Sequence, residues 1–192
     1  MKKALEAYWG DKISAEELLK VAKEQRLNTY ATIKEQGIDF VPTGTFSLYD
    51  HVLDMSNTLG IIPEAYAKSG LSQLDTYFAM ARGHQKGGVD LPATEMKKWF
   101  DSNYHYLVPE FSEKSEFKLN DNKPVDDFIE AKEAGYNARP VVLGPLTLLW
   151  LGKTSKDAQD PNFNRYSLLP KLAQTYVQLF EKLAAAGAPW VQ

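Results

Sequence analysis

The stretch Leu168–Gln192, LLPKLAQTYVQLFEKLAAAGAPWVQ, decides the fold class. Leu168, Leu172, Tyr176, Leu179 and Leu183 recur at helical spacing and form one apolar stripe, so residues 168–186 read as an amphipathic helix. Gly187 ends that helix, and Trp190-Val191-Gln192 begins a strand. Toward the N-terminus the same order appears twice more. A helix over Val125–Ala134 ends at Gly135 and leads into the apolar run Pro140-Val141-Val142-Leu143, closed by Gly144-Pro145. A helix running to Gln36 ends at Gly37 and leads into Ile38-Asp39-Phe40-Val41-Pro42. Helix, glycine, apolar strand is the repeating unit of a parallel sheet. With the right-handed crossover rule, the strands near Ile38, Pro140 and Trp190 become parallel neighbours or near-neighbours. The pattern supports an α/β fold and does not separate a barrel from an open sheet.

The remaining elements follow from local signals. Lys2–Trp9 reads as a helix ended by Gly10-Asp11. Ser14-Ala15-Glu16-Glu17 fits a capping box, with Ser14 as N-cap and Glu17 three residues on. Thr43–Phe46 reads as a loop, and a helix from about Ser47 carries Tyr49, Val52, Leu53 and Met55. Asp75–Arg82 reads as a helix, Gly83–Pro92 as a mobile Gly-rich loop, and Thr94–Asp101 as a short helix. Tyr104–Pro109 is strand-like, and Lys118–Lys123 is a polar turn. A helix with no strand before it opens the chain, and a strand with nothing after it closes it. Parallel strands need neighbours and covering helices, so the expectation is a piece of a longer polypeptide.

Composition narrows the function classes. The 192 residues suffice for one domain with a sizeable core. The 22 basic and 25 acidic residues are interspersed and net charge is −3, which argues against a nucleic-acid partner needing a clustered basic face. There is no cysteine, which excludes disulfides and thiolate metal sites. His51, His84 and His105 are far apart and form no His-x-x-x-His pair. No apolar run approaches the ~20 residues of a membrane span, and no signal peptide is visible. A cytoplasmic location is the expectation.

Five stretches carry a resemblance. They are Leu5–Trp9, Phe46–Asp54, Lys98–Glu110, Pro140–Pro145 with Leu151-Gly152-Lys153, and Ala186–Gln192. Taken in this order they resemble the N-terminal barrel of the cobalamin-independent methionine synthase family, from Lys2 to Gln192. The resemblance implies a partial (β/α)8, TIM-type barrel, roughly the first half of the family's N-terminal barrel. A complete barrel takes ~250 residues. The family begins with a strand just before the position of Lys2 and continues with Ile-Asp-Glu-Pro just after Gln192, so residues 1–192 read as one truncated barrel domain. By the same resemblance the activity is transfer of a methyl group from 5-methyltetrahydropteroyltri-L-glutamate to homocysteine, making methionine. Zinc and the thiol-activating ligands belong to the family's C-terminal barrel, which is absent here. No cofactor is therefore expected on this chain, and no catalytic or metal-binding residue.

The resemblance also implies binding residues for the folate polyglutamate tail: Lys2, Lys98 and Asn103. An ammonium beside a polycarboxylate makes charge-assisted hydrogen bonds. Each has an ordinary alternative. Lys2 is a solvated lysine near a terminus, the preferred reading for this chain alone. Lys98 ends a short helix with Lys97, where cations suit the macrodipole, and Asn103 is a turn residue. His51 beside Asp50, and His105 between two tyrosines, read as structural histidines, because no nucleophile is placed to use a base. Asp50 and Asp54, four apart on a helix, stay solvated or meet a cation. Trp99, Phe100, Tyr104 and Tyr106 read as core packing before ring stacking on a ligand. The alternative to an enzyme-derived fragment is a non-catalytic half-barrel that self-associates through exposed sheet edges or pairs with a missing half.

Overall fold

The computed structural model describes all 192 residues. In chain order the elements are α1 (Lys2–Trp9), α2 (Ala15–Glu35), β1 (Val41–Thr43), α3 (His51–Thr58), α4 (Glu64–Ala67), α5 (Gln73–Arg82), β2 (His84–Lys86), β3 (Val89–Leu91), β4 (Met96–Lys98) and β5 (His105–Leu107). Then come β6 (Glu110–Phe111), α6 (Lys123–Glu133), β7 (Ala138–Pro140), α7 (Pro145–Leu151), β8 (Lys153–Thr154) and α8 (Leu169–Ala185). The fold is mixed α/β, with four separate two-stranded sheets and no closed barrel. The chain divides into two compact units: residues 1–48, 124–141 and 183–192 form the first, and residues 49–123 and 142–182 form the second.

The first unit holds the parallel pair β1–β7, in register Val41↔Ala138, Pro42↔Arg139 and Thr43↔Pro140. Flanking amides extend the ladder: Val41 N donates to Asn137 O at 2.9 Å, and Val141 N donates to Thr43 O at 3.0 Å. Gly44 follows β1 with φ +80°, and a Cβ there would lie 2.5 Å from the Val141 carbonyl oxygen, so only glycine fits. Leu18, Ala22, Val41, Phe128 and Ala131 are buried in this unit. The capping box starts α2 as its sequence dictates: Ser14 Oγ accepts from Glu17 N at 3.1 Å, and Ser14 N donates to Glu17 Oε2 at 2.7 Å.

The second unit packs α3, α5 and α7 with two antiparallel hairpins, β2–β3 and β4–β5, and one parallel pair, β6–β8. Val52, Leu59, Phe111, Leu148 and Leu149 are fully buried. Gly152 passes so close to Phe111 that a Cβ would sit 2.2 Å from the ring carbon Cε2. The apolar stripe read in the last long helix is buried along its length: Leu168, Leu172, Tyr176, Leu179 and Leu183.

Several boundaries differ from the sequence reading, each for a physical reason. Gly83–Pro92 is a hairpin rather than a loop: Gly87 and Gly88 both take positive φ, 61° and 81°, the geometry that joins two antiparallel strands tightly. Thr94–Asp101 is not a helix. Met96–Lys98 is extended and pairs with His105–Leu107, while Thr94 N and Oγ1 donate to Met80 O and Val108 N donates to Glu95 O. Cross-strand pairing here overrides the helical propensity of Glu, Met and Lys. Gly144-Pro145 opens α7, with Gly144 as N-cap and Pro145 at the first position, where its missing N–H costs nothing. α3 starts at His51, not Ser47, because Asp50 caps it. The expected strands at Ile38–Pro42 and Pro140–Leu143 shift to Val41–Thr43 and Ala138–Pro140. They are parallel neighbours as expected. Trp190–Gln192 forms no strand, though Gln192 N donates to Pro140 O at 2.9 Å, beside β7.

Candidate functional site

The three residues expected at a polyglutamate tail fall in two places. Lys2 lies in the first turn of α1, in the first unit; its side chain is exposed and 3.8 Å from Glu6. Lys98 and Asn103 share the β4–β5 hairpin of the second unit, and both are exposed. Lys98 closes β4 opposite His105, and Asn103 lies in the connection. Lys98 therefore ends a strand, not a helix, and the macrodipole reading of the Lys97-Lys98 pair does not apply. Successive strand residues face opposite sides. Lys97 sits 3.4 Å from Glu95, whereas the Lys98 ammonium forms no salt bridge.

The hairpin connection is tightly bonded. Trp99 N donates to Tyr104 O at 2.7 Å, Ser102 N donates to Trp99 O at 3.1 Å, and Tyr104 N donates to Ser102 Oγ at 3.3 Å. Phe100 takes a left-handed φ of 50° and is 64% exposed, its ring stacked on Trp150 at 5.6 Å. Trp99 meets His51 edge-on at 4.7 Å. Tyr106 is buried and donates to Leu151 O at 3.0 Å. Of the four aromatics, Tyr106 packs as expected, whereas Phe100 lies on the surface.

Asp50 lies beneath the hairpin, 1% exposed. Its Oδ2 accepts from Leu53 N at 2.8 Å, capping α3, and from Leu107 N at 3.1 Å, in β5. Its Oδ1 accepts the Tyr104 hydroxyl proton at 2.7 Å. That proton is then spent, so the His51 Nδ1 that lies 3.1 Å from the Tyr104 oxygen must be the donor. His51 accordingly carries its hydrogen on Nδ1. Burial first, and then the hydrogen bond to Asp50 and its charge, push the Tyr104 phenol well above its ordinary pKa. Asp54 is held apart: it accepts from the Tyr77 hydroxyl at 2.7 Å and lies 3.6 Å from Lys123 Nζ. Burial and that carboxylate likewise raise the Tyr77 phenol. Asp54 thus meets a cation as expected, but Asp50 is neither solvated nor within the helix. Its capping role was readable from an Asp directly ahead of His51-Val52-Leu53.

This arrangement fixes the hairpin against the start of α3. His105 Nδ1 donates to the Asn103 carbonyl at 2.9 Å, a structural role. No group of three or more His, Cys, Asp or Glu side chains converges to hold a metal ion. The exposed ammonium of Lys98 and the nearby amide of Asn103 suit a flexible polycarboxylate.

The sequence model of the cobalamin-independent synthase, N-terminal domain, matches residues 1–192. The probable 5-methyltetrahydropteroyltriglutamate–homocysteine methyltransferase of Schizosaccharomyces pombe is 52% identical over 198 residues, covering 100% of this chain and 26% of that protein. The 5-methyltetrahydropteroyltriglutamate–homocysteine methyltransferase of Saccharomyces cerevisiae is 50% identical over 198 residues, with the same coverage. That of Chelativorans sp. is 49% identical over 202 residues, again covering 100% and 26%. The chain spans about a quarter of the length of the curated relatives it matches.

Proposed function

This chain belongs to the cobalamin-independent synthase family, and we propose that it is the N-terminal part of a methyltransferase that converts homocysteine to methionine. The methyl donor is 5-methyltetrahydropteroyltri-L-glutamate, as the names of the relatives state for those proteins. The bond from the methyl carbon to N5 of the folate breaks, a C–S bond to homocysteine forms, the thiol gives up its proton, and N5 takes one up as tetrahydropteroyltriglutamate leaves. Residues 1–192 are one truncated (β/α)8 barrel domain, and the parallel β1–β7 pair supports that reading. The protein works in the cytoplasm; no helix is long and apolar enough to cross a membrane. By the family resemblance, zinc activation of the thiol belongs to a C-terminal barrel; on this chain no three His, Cys, Asp or Glu side chains converge.

The part this chain plays is to hold the glutamate tail, through Lys98 and Asn103 of the second unit; Lys2, in the first unit, is implied by the resemblance alone. One observation carries that reading: Lys98 and Asn103 lie on one hairpin, both exposed, with the Lys98 ammonium free of any salt bridge. Replacing Lys98 by Ala in the full-length polypeptide tests it. Affinity for the triglutamate should fall a few-fold, as an exposed ion pair of about 0.2–1 kcal/mol allows, and affinity for the monoglutamate should hold. Equal losses for both would refute the assignment.

A second reading, a half-barrel that associates through its sheet edges, draws on the sheets having only two strands each. An elution volume at the mass of a dimer would support it.

A further inference from the structure

We propose that Asp50 is the positioning residue for the tail-binding hairpin: its buried carboxylate clasps β4–β5 to the start of α3 and so sets where Lys98 and Asn103 stand. The proposal rests on the tail reading above and goes beyond it, since Asp50 touches no ligand itself. The carboxylate uses both oxygens on three donors. Leu53 N belongs to α3, whereas Leu107 N and the Tyr104 hydroxyl belong to the hairpin, one in β5 and one at the end of its connection. Helix capping alone needs one oxygen and one donor. The two further bonds cross 54 and 57 residues of sequence to the hairpin. A carboxylate that is 1% exposed is costly to bury, and His51 Nδ1, 3.7 Å from its Oδ1, is beyond hydrogen-bond distance, so these three donors carry it. His51, next in sequence, adds its Nδ1 hydrogen to the Tyr104 oxygen at 3.1 Å and its ring edge to Trp99, fixing the same connection from the helix side. Trp99 and Tyr104, the two residues so held, flank the Phe100–Asn103 tip, and Trp99 directly follows Lys98.

Two substitutions separate the clasp from the cap. In Asp50→Ser the shorter hydroxyl still caps α3 but cannot also reach Leu107 and Tyr104. Asp50→Asn can rescue it: the amide oxygen accepts from Leu53 and Leu107, and the amide nitrogen donates to the Tyr104 oxygen. The Tyr104 hydroxyl then donates to His51 Nδ1, and the imidazole carries its hydrogen on Nε2.

The test is made on the full-length polypeptide, with its histidines labelled for NMR. It combines amide hydrogen exchange with titration by 5-methyltetrahydrofolate mono- and triglutamate, and reads the His51 tautomer from ring nitrogen shifts in alkaline buffer. Asp50→Ser should speed Leu107 exchange by about tenfold or more while Leu53 stays protected. It should also weaken triglutamate binding several-fold without changing the monoglutamate. Asp50→Asn should restore both and show the Nε2 tautomer. Unchanged Leu107 exchange in Asp50→Ser, or equal losses for both folates, overturns the proposal. If Lys98→Ala, run alongside, leaves triglutamate binding intact, the tail reading falls, and the exchange data still decide whether Asp50 holds the hairpin.

Discussion

Arg26 and Glu130, 104 residues apart in sequence, form a two-pronged ion pair: Nε to Oε1 at 2.7 Å and Nη2 to Oε2 at 2.8 Å. It joins α2 to α6 inside the first unit. Asp127 lies 3.5 Å from the same Nε, and all three side chains are at most 14% exposed. Burial works against the Arg26 charge, but the Glu130 hydrogen bond and the two carboxylates outweigh it and raise its pKa. Arg26→Ala breaks the buried two-pronged pair with Glu130, and should cost about 3–5 kcal/mol of stability in urea unfolding. Arg26→Lys keeps the charge and loses the fork, so its cost should fall between wild type and alanine.

Gly152→Ala should destabilise the second unit by overpacking. The added methyl would lie 2.2 Å from Phe111 Cε2 and 2.9 Å from the Pro109 carbonyl, and Phe111 is fully buried with Phe117 edge-on to its ring. Backbone conformation is not the obstacle, since φ is −82°. The expected loss is about 3 kcal/mol, near the upper end for overpacked cores. Adding Phe111→Leu should recover part of it, so a double-mutant cycle reads the contact directly.

Acid should loosen the start of α2. The Glu17 carboxyl is held below its ordinary pKa by the Ser14 backbone N–H and then by the Ser14 side chain. A lowered folded pKa gives stabilisation that is present above the unfolded value of about 4.3 and is lost as pH falls through the folded value. Amide exchange at residues 15–18 should therefore rise below about pH 4 beyond its intrinsic trend. Glu17→Gln, which can still complete the box, should flatten that dependence. A variant with the acid-dependent rise intact would show that another group is responsible.

The isolated chain should not methylate homocysteine. It offers no converging metal ligands and no cysteine, and it spans about a quarter of its relatives' length. Methionine production above background by the purified chain, scaling with its concentration and with contaminating enzyme excluded, would overturn this expectation.

What was legible in the sequence was what neighbours in sequence decide. Ser14 and Glu17 announce their capping box because both partners lie within one turn. The stripe from Leu168 to Leu183 announces a buried helix face because its spacing is helical. Met96–Lys98 was illegible because its strand state depends on His105–Leu107, and its own residues favour a helix. Gly87-Gly88 carries a local signal for the β2–β3 hairpin, because paired glycines between short runs suit the positive φ of such a turn. Lys98 and Asn103 could be named only through a resemblance, and their common hairpin emerged from pairing. Asp50 read as half of a solvated pair because its hairpin partners lie more than 50 residues away.

Pro42, at the centre of β1, has a consequence for assembly. Val41 and Thr43 direct their hydrogen bonds toward β7, so Pro42 faces the opposite edge, and proline has no amide hydrogen to offer there. Across that edge the three-residue strand presents an acceptor and no donor. An incoming strand can give one hydrogen bond and receive none in return. The side of β1 turned away from its partner is thus chemically one-way: it tolerates a neighbour that side-chain packing has already placed, and it recruits poorly by backbone alone.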